Sequence, residues 1–260
     1  MISKIAYLLA NNQIPSPKKL LALTFSVNAA YKIKKDISSQ IPEVLQNSNI
    51  TFNNKIFTSN YHGFCRNILN KYGYLINNNL TNLDDIETID DSDLEKLQTS
   101  VSGLSFENAK ELTIFNDAVK NCNYNYIDEN IQNYNDLIIN ELLVHRVLSY
   151  NSILTMTILL FAKFNNIKRF YQNYFNYILI DEFQDTNILS YRIIELLISD
   201  NTKLIFLGDS LQRIYGFIGA IPDLLNVAKK KFNMDEIFLT KNYRFMNNQQ
   251  MLLIAHVTQF

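Results

Sequence analysis

Short unbroken apolar runs alternate along this chain with stretches of helical spacing. Residues 2–11 carry apolar side chains at 2, 5, 6, 8 and 9, which predicts a helix, and Pro15 and Pro17 then break the chain. Residues 19–25 (KLLALTF) predict a buried strand, followed by a helix that opens at Ser26 and runs to about Ser39. A strand over 55–59 (KIFTS) and a helix over 64–72 come next. Residues 153–164 read as an apolar helix and 177–180 as a strand. A helix over 190–198, a strand over 203–207, a helix over 222–231 and a strand over 236–240 complete the series. Strands alternating with helices imply an α/β fold, a mostly parallel sheet covered on both faces.

Residues 76–150 differ. They begin acidic (DDIETIDDSDLE), are rich in Asn, and show helical spacing near 109–119 and 137–148 with no recognisable strand. We read 1–75 and 151–245 as one discontinuous core, 76–150 as a helical insert, and 246–260 as the start of a following region.

The strand at Tyr177 ends in two adjacent carboxylates, within YILIDEFQDT. Open parallel sheets place ligands at the C-terminal ends of their strands. There Asp181 could hold a Mg²⁺, directly or through water, and Glu182 could polarise a water toward a phosphate. A solvated acidic turn would look the same in isolation. A second strand ends in Gly208-Asp209, and the stretch reads GDSLQRIYGFIGA. Its Gln212 could sense a phosphate or an attacking water. Tyr215 and Phe217, two apart, could form a stacking platform for unpaired bases or belong to the core. Arg244 follows a predicted strand and could supply a cation to a γ-phosphate, or could be a surface charge.

Composition narrows the class only slightly. The chain has 260 residues, 47% apolar and 19% charged, with a net charge of −1, so nucleic-acid binding would have to come from local patches. Its two cysteines, Cys65 and Cys122, build neither a disulfide framework nor a zinc site, which fits a reducing, cytoplasmic setting. No apolar run is long enough to span a bilayer, and the first residues lack a signal-peptide layout, so no membrane partner is expected.

Taken in order, these pieces resemble the UvrD/Rep/PcrA-type superfamily 1 DNA helicases. TFSVNAA at 24–30 looks like the family's single-strand-contacting Thr-Phe-Thr-Asn-Lys-Ala-Ala, and YHGF at 61–64 like its Thr-Phe-His-Gly. DEFQDT at 181–186 is similar to its Walker B motif, 208–220 to its Gly-Asp-x-x-Gln motif, and NYR at 242–244 to its Asn-Tyr-Arg. The resemblance implies a RecA-like, P-loop NTPase-type sheet, ATP and Mg²⁺ as cofactors, and single-stranded DNA and duplex junctions as partners. Asp181 would hold the metal, Glu182 would be the catalytic base, and Gln212 would couple the γ-phosphate to DNA. Arg244 would touch the γ-phosphate and Tyr243 would stack on adenine. Thr24, Phe25, Asn28, His62, Tyr215 and Phe217 would line the single-strand path. Read without the family, Phe25 is equally a core residue, His62 a hydrogen-bonded residue at a strand end, and Asn28 a helix-entry residue.

Two departures bear on activity. No Gly-x-x-x-x-Gly-Lys-Thr occurs, and no glycine precedes Gly63, so the loop that cradles phosphates is absent from these residues. Residues 2–10 resemble the helix that follows this loop in the family, so Met1 is expected to lie just downstream of it. The chain also ends soon after NYR, without the second RecA-like domain that translocation requires. Smaller departures are the lack of a Lys after Asn28, and Asn60-Tyr61 where the family has Thr-Phe. The expectation is a fragment of an ATP-dependent DNA helicase of 3′ to 5′ polarity, serving repair or replication, that is weakly active or inactive alone. The alternatives are a non-catalytic module binding single-stranded DNA or a partner helicase, and the helicase part of a helicase–nuclease or defence protein.

Overall fold

The computed structural model describes residues 1–45, 54–209 and 219–239. It divides into two units, Met1–Leu225 and Asn226–Phe260.

The first unit is built on a four-stranded parallel sheet. Its strands are β1 (Lys19–Thr24), β2 (Ile56–Asn60), β5 (Phe175–Ile180) and β6 (Lys203–Phe206), in the order β2-β1-β5-β6. The expected α/β architecture is therefore present. Alternation along the central strands sends side chains to both faces, and both are covered, which is why these strands read as continuous apolar runs. On one face, Leu20, Ala22, Tyr177 and Leu179 pack with Ile5, Leu8 and Leu9 of α1 (Ile2–Ala10). Ile33, Ile37 and Ile41 of α2 (Val27–Val44) complete that layer. This i, i+4 stripe carries α2 through Pro42, beyond the Ser39 at which the sequence pattern fades. The other face is covered by α3 (Tyr61–Tyr72), α7 (Tyr150–Lys163), α8 (Asn165–Tyr174) and α9 (Ile188–Leu197). Nearly every side chain of α7 is buried, which explains its apolar, poorly periodic sequence.

The stretch from 76 to 150 contains α4 (Leu94–Ser100), α5 (Phe106–Lys120) and α6 (Tyr124–Leu137), the last continuing into a π-helical turn over Ile138–Leu142. It also contains two strands, where the sequence showed none. These are β3 (Glu87–Ile89) and β4 (Val147–Ser149), paired in parallel as a small separate sheet. Three residues are too few to display a period of two, so such strands leave no pattern to read. Beside this sheet lies a buried polar network. Tyr134 donates to Asp91 at 2.6 Å, Ser149 and Tyr134 are 2.6 Å apart, and Asn151 donates to Asp91 at 3.2 Å and to Asn116 at 3.0 Å. Asp91 is 1% exposed. Burial pushes its carboxyl up to about 6, an effect that the Asp90 charge reinforces and the Tyr134 and Ser149 hydrogen bonds oppose.

Helix α10 (Leu224–Lys231) runs from the end of the first unit into the second. Within the second unit Lys229 pairs with Glu236 at 2.6 Å. The strand expected over 236–240 does not form at 236–239, and Thr240 lies outside the described residues. A strand needs a backbone neighbour, and 236–239 pair with none among the described residues.

Candidate nucleotide and single-strand site

The C-terminal ends of β1, β2, β5 and β6 share one edge of the sheet, and the sequence motifs converge there. Asp181 follows β5 and is tied to β1 through its N–H, which donates to the Leu23 carbonyl at 2.9 Å. It is half-buried. Burial raises its carboxyl above the ordinary range and the Glu182 charge adds to this, while Lys32 is among the groups that pull the other way.

Glu182 departs from the strand in the left-handed region, at φ 53° and ψ 44°. An L-residue adopts that conformation at a cost of about 1–2 kcal/mol. The turn breaks strand alternation and leaves Glu182 exposed next to the half-buried Asp181. Gln184 holds it there. The Gln184 amide donates to Glu182 Oε2 at 2.7 Å, and its Oε1 accepts from the Asp209 N–H at 3.1 Å. A single buried side chain thus joins the DEFQDT segment to the start of GDSLQRIYGFIGA. Gly208 leaves room for it, since a Cβ there would stand 2.6 Å from Gln184 Oε1. Sequence reading gave Gln184 no role. Its only signal was a polar residue inside a stretch that otherwise turns inward.

The junction has further ties. The Phe183 N–H donates to the Leu207 carbonyl at 2.9 Å, and its ring stacks on Phe206 at 4.1 Å. The Ile221 N–H donates to the Thr186 carbonyl at 3.1 Å, and Asn187 bridges Ala220. Gly219 has φ +89°, and a Cβ there would lie 2.7 Å from the Val119 carbonyl, so glycine is required both by conformation and by close approach to the end of α5.

The residues expected along the single strand fall beside this edge. Thr24 ends β1, is fully buried, and has a hydroxyl without a hydrogen-bond partner among the described residues. Phe25 is half-buried and Asn28 exposed. The cap of α2 is Ser26, whose Oγ accepts from the Ala29 N–H at 3.1 Å, so Asn28 is not the capping residue. His62 lies in the first turn of α3, behind the Asn60 cap. Its ring meets Tyr150 edge-to-face at 5.7 Å. Burial holds His62 down to about 4, so it is neutral at physiological pH. Tyr150 begins α7 and is 51% exposed. Sequence reading missed it, because it belongs to no recognised motif and only the fold brings it to His62. Tyr61, where the family pattern has Phe, is buried and its hydroxyl lies 3.0 Å from Thr186 Oγ1, a link between YHGF and DEFQDT. Gln212, Tyr215, Phe217, Tyr243 and Arg244 lie outside the described residues.

One carboxylate completed by waters is a donor set that suits Mg²⁺, and Asp181 fits that part. The described residues contain no cluster of three or more His, Cys, Asp or Glu that could hold a metal. With no Gly-x-x-x-x-Gly-Lys-Thr in the sequence, no described residue is assigned to a phosphate cradle.

A parallel sheet with paired carboxylates at its C-terminal edge, joined through Gln184 to a Gly-Asp strand end, is the architecture of a RecA-like core. The UvrD/REP helicase N-terminal domain family matches residues 1–233, and the chain belongs to it. It is similar to the ATP-dependent DNA helicase PcrA of Staphylococcus aureus, with 30% identity over 254 residues, covering 93% of this chain and 33% of that protein. It is also similar to probable DNA helicase II homologues. The one from Mycoplasma capricolum is 31% identical over 276 residues, covering 98% and 36%. The one from Mycoplasma pneumoniae is 27% identical over 275 residues, covering 97% and 37%. The chain therefore spans about a third of the length of these relatives.

Proposed function

We propose that this chain is the first motor domain of an ATP-dependent DNA helicase, acting with a second RecA-like domain to couple ATP hydrolysis to 3′ to 5′ movement on single-stranded DNA and duplex unwinding. The observation that carries this reading is the Gln184 bridge. It fixes Glu182 and the strand end at Asp209 as one unit, as coupling between a hydrolytic base and a DNA-facing segment would need. Asp181 would hold Mg²⁺, which would offset charge on the phosphates. Glu182 would accept a proton from the attacking water, its carboxylate oriented by the Gln184 amide. Gln212, Tyr243 and Arg244 are assigned to the nucleotide by family resemblance. Phe25, Asn28, His62 and Tyr150, with Tyr215 and Phe217, are assigned to the single strand, and Thr24 supports it from beneath.

A second reading is that these 260 residues bind single-stranded DNA without hydrolysing ATP. Two measurements on the chain separate the readings. In both, His62→Ala and Tyr150→Ala weaken binding of a thymidine oligonucleotide followed by fluorescence anisotropy, and Glu182→Gln leaves it unchanged. Slow turnover of ATP that the oligonucleotide stimulates and Glu182→Gln abolishes supports the motor-domain reading and overturns the binding module. If the two aromatic variants bind as well as the original chain, the single-strand path is misplaced in both.

A further inference from the structure

The opposite edge of the sheet has a different chemistry. At the N-terminal ends of the strands, Lys18 and Lys19 open β1, Lys55 precedes β2, and Lys203 opens β6. Helix α8 adds Lys168 and Arg169 beside them. It is held at this edge by Tyr171 stacked on Phe175 at 6.1 Å and by Gln172, which donates to the Leu196 and Ile198 carbonyls at the end of α9. Against these six cations the described residues bring three acids to the same end, Glu43 near the end of α2, Glu195 in the last turn of α9 and Asp200 before β6. Residues 46–53, outside the described set, carry no charged side chain. A chain of net charge −1 thus concentrates positive charge at the edge remote from Asp181, Glu182 and Asp209.

Aromatic rings are interleaved with those cations. Lys19 Nζ lies 5.5 Å from the centre of the Tyr174 ring on the α8 side of the sheet, whereas Lys203 Nζ lies 5.3 Å from that of Tyr177 on the α1 and α2 side. Phe170 stacks on Tyr174 at 5.3 Å with an interplanar angle of 18°, yet remains 50% exposed. A large ring this open beside Arg169 is already oriented by its neighbour and has surface left to cover. Cations at strand spacing suit a phosphate backbone, and an oriented exposed ring suits an unstacked base. An acidic peptide would satisfy the cations but leave the ring without a planar partner.

We propose that this N-terminal edge, on the side that α8 covers, is a second contact surface for single-stranded nucleic acid, with Lys18, Lys19, Lys168 and Arg169 holding phosphates and Phe170 receiving a base. It is separate from the His62–Tyr150 path and does not depend on ATP. A strand leaving that path, or another part of the same molecule, would be retained here.

The test is photo-crosslinking of the 260-residue chain to an oligothymidylate carrying 5-iododeoxyuridine, with crosslinked peptides identified by mass spectrometry, alongside anisotropy titrations at several salt concentrations. Crosslinks are expected at Phe170 or Tyr174, and they persist in the His62→Ala, Tyr150→Ala double variant. Lys168→Ala with Arg169→Ala is expected to lower the slope of log affinity against log salt by about 1.4, and Lys18→Ala with Lys19→Ala to act similarly if the first pair does not fold. Phe170→Ala is expected to weaken binding at least about fivefold. Absence of crosslinks at both rings overturns the proposal. An unchanged salt slope in the folded cation variants also overturns it, as does unchanged affinity in Phe170→Ala. Equal binding of polyglutamate, displacing the oligonucleotide, would assign the surface to an acidic polypeptide instead.

Discussion

Replacing Asp91 by Asn isolates the energetic effect of one buried carboxylate. In the folded chain Asp91 is held up to about 6, against an ordinary value near 3.8. The folded state therefore keeps its proton over a range where the unfolded chain has lost it. Between about pH 4 and pH 6 the folded state binds more protons, so stability falls as pH rises. The span of about two units corresponds to about 3 kcal/mol, fully present as a penalty at pH 7 and absent below pH 4. His62 works the other way, since its depressed basicity makes the fold lose stability as pH falls from about 6.5 toward 4. Comparing the two proteins at each pH cancels His62. The amide of the Asp91→Asn variant can still accept from Tyr134, although its NH₂ group then faces the Asn151 amide, a fixed cost that does not vary with pH. Urea unfolding at pH 4.5, 5.5, 6.5 and 7.5 should show the variant gaining about 2 kcal/mol relative to the original chain from the lowest pH to the highest. Parallel pH profiles would refute the reasoning, and would mean that the Tyr134 and Asn151 hydrogen bonds fully offset the burial of Asp91.

Tyr61→Phe restores the family residue but leaves the buried Thr186 hydroxyl without its partner, and should lower stability by about 1–2 kcal/mol in the same urea assay at pH 7. Gly219→Ala places a methyl group against the Val119 carbonyl at a positive φ, and should cost about 2 kcal/mol or more, read as a melting temperature several degrees lower. The Glu182→Gln experiment and the Phe170 crosslinks complete the set.

The sheet was legible because its strands are buried on both faces, so KLLALTF and YILI announce themselves without any family knowledge. The carboxylates were legible because strand and polar cluster adjoin in sequence. Other features resisted for physical reasons. β3 and β4 are too short to have a period. α8 escaped notice because its apolar face is aromatic and interrupted by Lys168, Arg169 and Gln172. Tyr150 meets His62 only through the packing of α7 on α3, which no local pattern encodes. Gln184 was visible as a letter, but its two partners, Glu182 and Asp209, are linked by a side-chain geometry that only the tertiary fold supplies. The basic edge was hidden by arithmetic, because a net charge of −1 sums over two ends of opposite sign.

Asp209 is fastened to Gln184, and Ala220 and Ile221 to Asn187 and Thr186, so two chain positions eleven residues apart are moored to one four-residue post. Neither mooring can be displaced without pulling on the other through that post, and the post begins two residues after Glu182. A shift there acts as a lever with a common fulcrum.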